Sequence, residues 1–173
     1  MKILAVDDDT HILEVLKAVL LDSGHRKVVT TASPLDALKI VTNSTEMFDC
    51  LLLDIQMPDM DGITLCRRMR MIRGYEEIPI VMLTAMTERE YVERAFVAGA
   101  TDYLTKPFDV LEIGARLRVA SKLRQAQEAP RDASGHQPKA APRVRNPNAL
   151  SRQELVDLFA DEFRNHAKLQ KAV

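Results

Sequence analysis

An α/β fold with a five-stranded, doubly wound parallel sheet is predicted for this sequence by three observations. Short apolar runs alternate with helical patterns five times across residues 1–124. The runs Ile3–Val6, Cys50–Leu53 and Ile80–Leu83 are apolar without interruption, as strands covered on both faces are. The connections are short, which calls for parallel neighbours joined by right-handed crossovers. The order 2-1-3-4-5 is favoured, because one reversal of winding beside strand 1 brings the loops after strands 1 and 3 together.

Each element carries its own signal. After the first strand, Ile12, Val15, Leu16 and Val19 recur at helical spacing. Val28–Thr31 is the second strand, and Ser33-Pro34 then reads as an N-cap followed by proline at the first helical position. The third strand is Cys50–Leu53, and Gly62, Gly74 and Gly99 fall where turns or helix ends are needed. Behind the fourth strand, Ile80–Leu83, Thr87-x-x-Glu90 reads as a capping box. The fifth strand, Asp102–Leu104, precedes a second box with an Asp cap, Asp109-x-x-Glu112. Val110, Ile113, Leu117 and Ala120 mark the inner face of the last helix of this unit.

The composition changes after Arg124. Residues 125–149 contain Pro130, Pro138, Pro142 and Pro147 and almost no large apolar side chain, so they read as a disordered linker. A helical pattern resumes over 150–171, capped by Ser151-x-x-Glu154, with Leu155, Leu158, Phe159, Phe163 and His166 on one stripe. The expected organisation is therefore a domain over 1–124, a linker over 125–149 and an amphipathic helix over 150–171. No internal repeat is present.

Bulk properties exclude several classes. The 173 residues carry a net charge of −1, with no Trp, so nothing draws the chain globally to nucleic acid or membrane. Hydrophobic content of 46% supports a packed core. Cys50 and Cys66 are the only cysteines, without metal spacing and too few for a disulfide framework, which fits a reducing compartment. No signal peptide precedes the first strand, and no apolar run approaches the about 20 residues that span a bilayer. The expectation is a cytoplasmic protein.

The chemistry lies at the strand ends. Asp54 closes the run Cys50-Leu51-Leu52-Leu53, Asp7-Asp8 follow the first strand, Thr84 the fourth, and Lys106-Pro107 the fifth. Strand ends of an open parallel sheet share one edge, where such folds build their sites. A carboxylate there can attack a phosphoryl group and form an acyl phosphate. Asp7 and Asp8 add hard oxygen donors suited to Mg²⁺, which would also offset repulsion among clustered acids. Thr84 can donate its hydroxyl to a phosphate oxygen, and Lys106 can pair with Asp54 or with the phosphate. Taken singly, each has a blander reading: a helix-capping acid run, a strand-end Thr bonded to local backbone, a solvated lysine. Their joint placement carries the inference.

Four segments give the chain a family resemblance: Ile3-Leu4-Ala5-Val6-Asp7-Asp8-Asp9, Leu53-Asp54-Ile55-Gln56-Met57-Pro58-Asp59-Met60-Asp61-Gly62, Leu83-Thr84-Ala85 and Tyr103-Leu104-Thr105-Lys106-Pro107-Phe108. Residues 1–124 resemble the receiver domain of bacterial two-component response regulators, of the chemotaxis-regulator type and flavodoxin-like sheet order. The resemblance implies that Asp54 takes a phosphoryl group from a sensor histidine kinase or phosphotransfer protein. It implies Mg²⁺ held by Asp8, Asp54 and the Gln56 backbone carbonyl, with Asp7 acting through water, and a cis bond between Lys106 and Pro107. It further implies a switch in which Thr84 moves to the phosphate and Tyr103 rotates inward. That switch reshapes the face made by the fourth helix, fifth strand and fifth helix, about Thr87–Arg124. Mixed charge on that face, from Glu88, Glu90, Glu93, Arg94, Arg116 and Arg118, suits homodimer pairing, and the C-terminal helix is a second candidate. Met86 would shield the site from water and lengthen the phosphoryl lifetime. The protein would catalyse only its own phosphorylation and dephosphorylation.

Other readings fit less well. A flavin-binding loop after the first strand would cradle phosphate with Ser, Thr, Gly and backbone amides, and three acids have the wrong sign. A haloacid-dehalogenase-like phosphatase would carry an Asp two residues after a nucleophile on the first strand; here the strand is the third and Gln56 holds that position. The serious alternatives are a phosphorylation-independent interaction scaffold, or the N-terminal part of a longer effector. No DNA-binding output domain is legible after residue 124, and the downstream partner is unreadable.

Overall fold

The computed structural model describes residues 1–85 and 89–128. Expectations for Met86, Thr87 and Glu88, for the linker from residue 129 onward and for the helix over 150–171 lie outside the described residues. The elements run β1 (Lys2–Val6), α1 (Thr10–Asp22), β2 (Lys27–Thr31), α2 (Pro34–Asn43), β3 (Cys50–Asp54), α3 (Gly62–Met71), β4 (Ile80–Thr84), α4 (Arg89–Val97), β5 (Asp102–Thr105) and α5 (Val110–Glu128). The sheet order is β2-β1-β3-β4-β5, with every pairing parallel. The predicted fold class and strand order are the ones observed.

Alternate strand residues point to opposite faces, and both faces are covered, which is why the central strands carry no polar alternation. One layer packs Leu4, Leu51, Leu53 and Met82 against Leu38 of α2, Ile63 and Met69 of α3 and Ala95 of α4. The other packs Ile3, Leu52, Val81 and Leu104 against Leu16 and Leu20 of α1 and Ile113 and Leu117 of α5.

The helix starts are local events. Ser33 Oγ accepts from Asp36 N at 3.2 Å, with Pro34 opening α2, and Asp109 Oδ1 accepts from Glu112 N at 2.7 Å. Both fulfil the expected caps. Asp61 caps α3 in the same way, accepting from Thr64 N at 2.6 Å. In the Asp7-Asp8-Asp9 run, only Asp9 caps α1, through His11 N at 2.9 Å.

Three expectations shift. In α1 the buried stripe is Leu13, Leu16 and Leu20, whereas Val15 is 54% exposed and Ile12 and Val19 are half-buried. The helix carries so many apolar residues that two stripes fit its period, and contact with β1 selects one. Val110 opens α5 on the solvent side, because the inner face begins only at Ile113. Finally, α5 continues four residues past Arg124, to Glu128. Gln125, Ala126 and Gln127 are sound helix formers, and Gln127 Nε2 donates to the Glu77 carbonyl at 2.9 Å.

Candidate functional site

Strand register places the site. β1 runs in step with β3 up to Val6↔Leu53, β3 with β4 up to Asp54↔Leu83, and β4 with β5 up to Thr84↔Thr105. The residues at or just past these ends, Asp7, Asp54, Thr84 and Lys106, therefore converge on one edge. Ile55 N donates to Leu83 O at 2.9 Å and Lys106 N to Thr84 O at 2.7 Å, so the backbone stays tied beyond the last ladder residues. The Lys106-Pro107 bond is cis, as the resemblance implied.

At the centre, Lys106 Nζ lies 2.7 Å from Asp7 Oδ2 and 2.7 Å from Asp54 Oδ1. Asp54 is 3% exposed, and Asp7 and Thr84 are fully buried. Asp8 stands beside them on the solvent side, and one carboxylate oxygen each from Asp7, Asp8 and Asp54 falls within 4.8 Å of the others. Gln56 lies two residues past Asp54, on the loop to α3, with its side chain exposed. Burial raises the Asp54 carboxyl above its ordinary range; Lys106 works against that, while Asp7 and Asp8 add to it. Burial opposes the charge on Lys106, but Asp54 and Asp7 together hold its proton more tightly than usual.

Asp7 Oδ1 accepts from Asp9 N at 3.0 Å. Its Oδ2 is buried and lacks an aligned hydrogen bond; the nearby Lys106 ammonium gives it an ionic contact only. A buried carboxylate oxygen with a spare lone pair, inside a set of three hard oxygen donors, fits a small divalent cation such as Mg²⁺.

Tyr103, on β5, is half-buried and meets the Phe96 ring of α4 edge-on, with centroids 6.1 Å apart and planes at 86°. The structure thus brings Asp7, Asp8, Asp54 and Lys106 into one cluster, sets Thr84 on the neighbouring strand end, and holds Tyr103 against α4. Two contributors escaped sequence reasoning. Phe96 has no sequence signal, because its pairing with Tyr103 crosses from helix to strand. Gly62 reads as a turn residue, yet its role is close approach: a Cβ there would overlap the Asp54 carbonyl oxygen. Its neighbour Asp61, a capping residue before a helix, was the available clue.

Comparison with known proteins agrees with this geometry. A family model described as response regulator receiver domain matches residues 3–118. The transcriptional regulatory protein SpaR of Bacillus subtilis is 38% identical over 119 residues, covering 67% of this chain and 50% of that protein. The chain therefore spans about half the length of such curated relatives. Among solved structures, Vibrio cholerae chemotaxis protein CheY4 is 34% identical with a TM-score of 0.65, covering 69% of this chain and 97% of that one. The receiver domain of sensor histidine kinase PA1611 from Pseudomonas aeruginosa, described with magnesium coordinated in its active-site cleft, is 29% identical with a TM-score of 0.62, covering 72% and 97%.

Proposed function

Since the chain belongs to the response regulator receiver family, we propose that Asp54 is its phosphoacceptor, loaded by a sensor histidine kinase or phosphotransfer protein in the cytoplasm. The observation that carries this reading is the Lys106 ammonium held 2.7 Å from both Asp7 and Asp54 at the sheet edge. It makes Asp54 a buried carboxylate whose charge is balanced by a group able to turn to an incoming phosphate.

An Asp54 carboxylate oxygen attacks phosphorus of a phosphohistidine. The new O–P bond forms as the N–P bond breaks, its electron pair stays on the imidazole nitrogen, and that nitrogen takes up a proton. Lys106 shifts from Asp54 to a phosphoryl oxygen and offsets the charge gathering there. The Thr84 hydroxyl donates to a second phosphoryl oxygen. Asp8, Asp54 and the Gln56 backbone carbonyl, with Asp7 beside them, would hold Mg²⁺, which would supply charge neutralisation to the transferring group. Thr84 and Tyr103 then bias the surface of α4, β5 and α5, which controls binding of a downstream protein or pairing with a second copy. The chain acts on itself and does not turn over a separate substrate.

Incubation with acetyl phosphate and Mg²⁺ is the test. Intact mass should rise by about 80 Da, peptide mapping should place the adduct on Asp54, and both Asp54→Asn and chelation of Mg²⁺ should abolish it. An unmodified chain, or an adduct that survives Asp54→Asn, would overturn the assignment. An unmodified chain would leave a phosphorylation-independent scaffold.

A further inference from the structure

Helix α5 is apolar on two sides. Its inner stripe, Ile113, Leu117 and Ala120, is buried against the sheet. A second stripe, Leu111, Ala115, Val119 and Ala126, lies about half a turn away and faces solvent; Leu111 is 81% exposed and Val119 53%. A surface helix normally turns charge outward, and one that is apolar on both sides is normally covered on both. Lys122 falls on this outer stripe between Val119 and Ala126 and Arg118 stands beside Leu111, both basic and exposed, while the half-buried Glu112 borders its other edge.

From this we infer that the segment 150–171 of the same chain packs on the outer stripe of α5. Three observations select that occupant. Its sequence repeats Leu155, Phe159 and Phe163 at helical spacing, the pattern of a helix that lies on an apolar face. Its acids complement α5: Glu154, Asp157, Asp161 and Glu162 fall within one short stretch, interrupted by no base before Arg164. The connection also reaches. Arg124 Nε lies 3.7 Å from Asp49, and Gln127 bonds the Glu77 carbonyl, so the last turn of α5 is anchored. Residues 129–149 span up to about 70 Å when extended. The outer stripe from Leu111 to Ala126 is only about 23 Å long at helical rise. An antiparallel return along α5 is therefore within reach, and Leu155 to Leu169 matches the stripe in length. This placement does not depend on phosphorylation of Asp54.

Amide hydrogen exchange on the full chain tests it, at two protein concentrations tenfold apart. Peptides within 153–165 should exchange at least about tenfold slower than a free peptide of the same sequence, independently of concentration. Val119→Asp and Phe159→Asp should each abolish that slowing, while the core amides of β4, reported by peptides within 80–84, keep theirs. Should Val119→Asp disturb α5 itself, the double variant Arg118→Glu with Lys122→Glu, confined to exposed positions, should give the same loss. No slowing, slowing untouched by the α5 variants, or slowing that grows with concentration, which marks a second copy as the occupant, would each overturn the inference.

Discussion

Gly62→Ala tests the link between the fold and the proposed phosphoacceptor. A Cβ built on Gly62 overlaps the carbonyl oxygen of Asp54, and lies 2.8 Å from its carbonyl carbon and 3.1 Å from Ile55 Cα. Carbon atoms rest about 3.5–4 Å apart, and all three neighbours are backbone, so no rotamer change relieves the overlap. The start of α3 must retreat from β3, although Gly62 N donates to Ile55 O at 3.0 Å and resists that movement. Overpacking costs about 1–3 kcal/mol, and a backbone-to-backbone clash belongs at the upper end. Against it stands the gain from replacing glycine at a helical position, about 1 kcal/mol. The balance is a loss of about 2 kcal/mol, or about 8 °C in melting temperature for a domain of this size. The displaced β3 end should also slow phosphorylation by acetyl phosphate. Gly24→Ala is the control: nothing lies within 4 Å of its Cβ and only its φ of +85° is unfavourable, so it should lose some stability and leave phosphorylation unchanged. Thermal unfolding by circular dichroism, with the rate of adduct formation by mass spectrometry, reads both. A Gly62→Ala protein melting within about 2 °C of the parent and modified at the parent rate would refute the close-approach argument.

Arg70 donates to the carbonyls of Gly99, Tyr75 and Ile78 at 2.6–2.9 Å, joining α3 to the loops before β4 and β5; Arg70→Met should cost about 3 kcal/mol in a urea titration, since the carbonyls it leaves lose charge-assisted bonds. Burial pushes the thiols of Cys50 and Cys66 up to about 12 and about 11, so at pH 8 their thiolate fractions are near 10⁻⁴ and 10⁻³ by order of magnitude, against about a quarter for an ordinary thiol. Iodoacetamide should label them in denaturant and scarcely in the native state, with labelling rising as pH increases, and rapid native labelling at pH 8 would contradict the burial. Because burial raises the Asp54 carboxyl, the folded state holds that proton more tightly than the unfolded chain, and ionisation of Asp54 lowers stability as pH rises from its unfolded value through the raised folded one. Asp54→Asn should therefore melt higher than the parent at neutral pH, by a margin that shrinks towards acid, where both states carry the proton. Added Mg²⁺ should narrow the neutral-pH gap by stabilising the parent more.

Much of this was legible because both faces of the sheet are buried. Ile3–Val6, Cys50–Leu53 and Ile80–Leu83 announce central strands, and each strand end then announces a chemical group. The strands in fact include Asp54, Thr84 and Thr105, since ladder bonds do not stop where hydrophobicity does. The same continuous apolarity hid which residues face which layer: nothing within Ile3-Leu4-Ala5-Val6 separates the α1 side from the α2 side, and α1 itself offered two stripes. Contacts between elements distant in sequence left no period to read. Phe96 against Tyr103, Arg70 beneath the β5 turn and Gly62 against Asp54 are products of packing, visible only once the sheet has brought them together.

Among the described residues, the buried polar or charged side chains are Asp7, Asp54 and Thr84. All three stand at one edge, and the cation nearest the acids is Lys106. Stability alone does not account for this. Burying two carboxylates side by side costs desolvation and mutual repulsion, which one ammonium shared between them only partly repays, and apolar residues of similar size are often at least as stable in such places. Elsewhere among the described residues, the caps of α1, α2, α3 and α5 and the apolar core keep to ordinary rules. Departures from those rules concentrated at one point are the mark of a site kept for chemistry. The same imbalance makes the site responsive. A cation among the acids or a phosphoryl group beside Lys106 changes a charge balance that is not at its minimum; Thr84 closes the neighbouring strand, and Tyr103 stands on β5 three residues before Lys106. The unfavourable charge that singles out Asp54 is thus also the source of the free energy by which the proposed modification would be felt at α4 and β5.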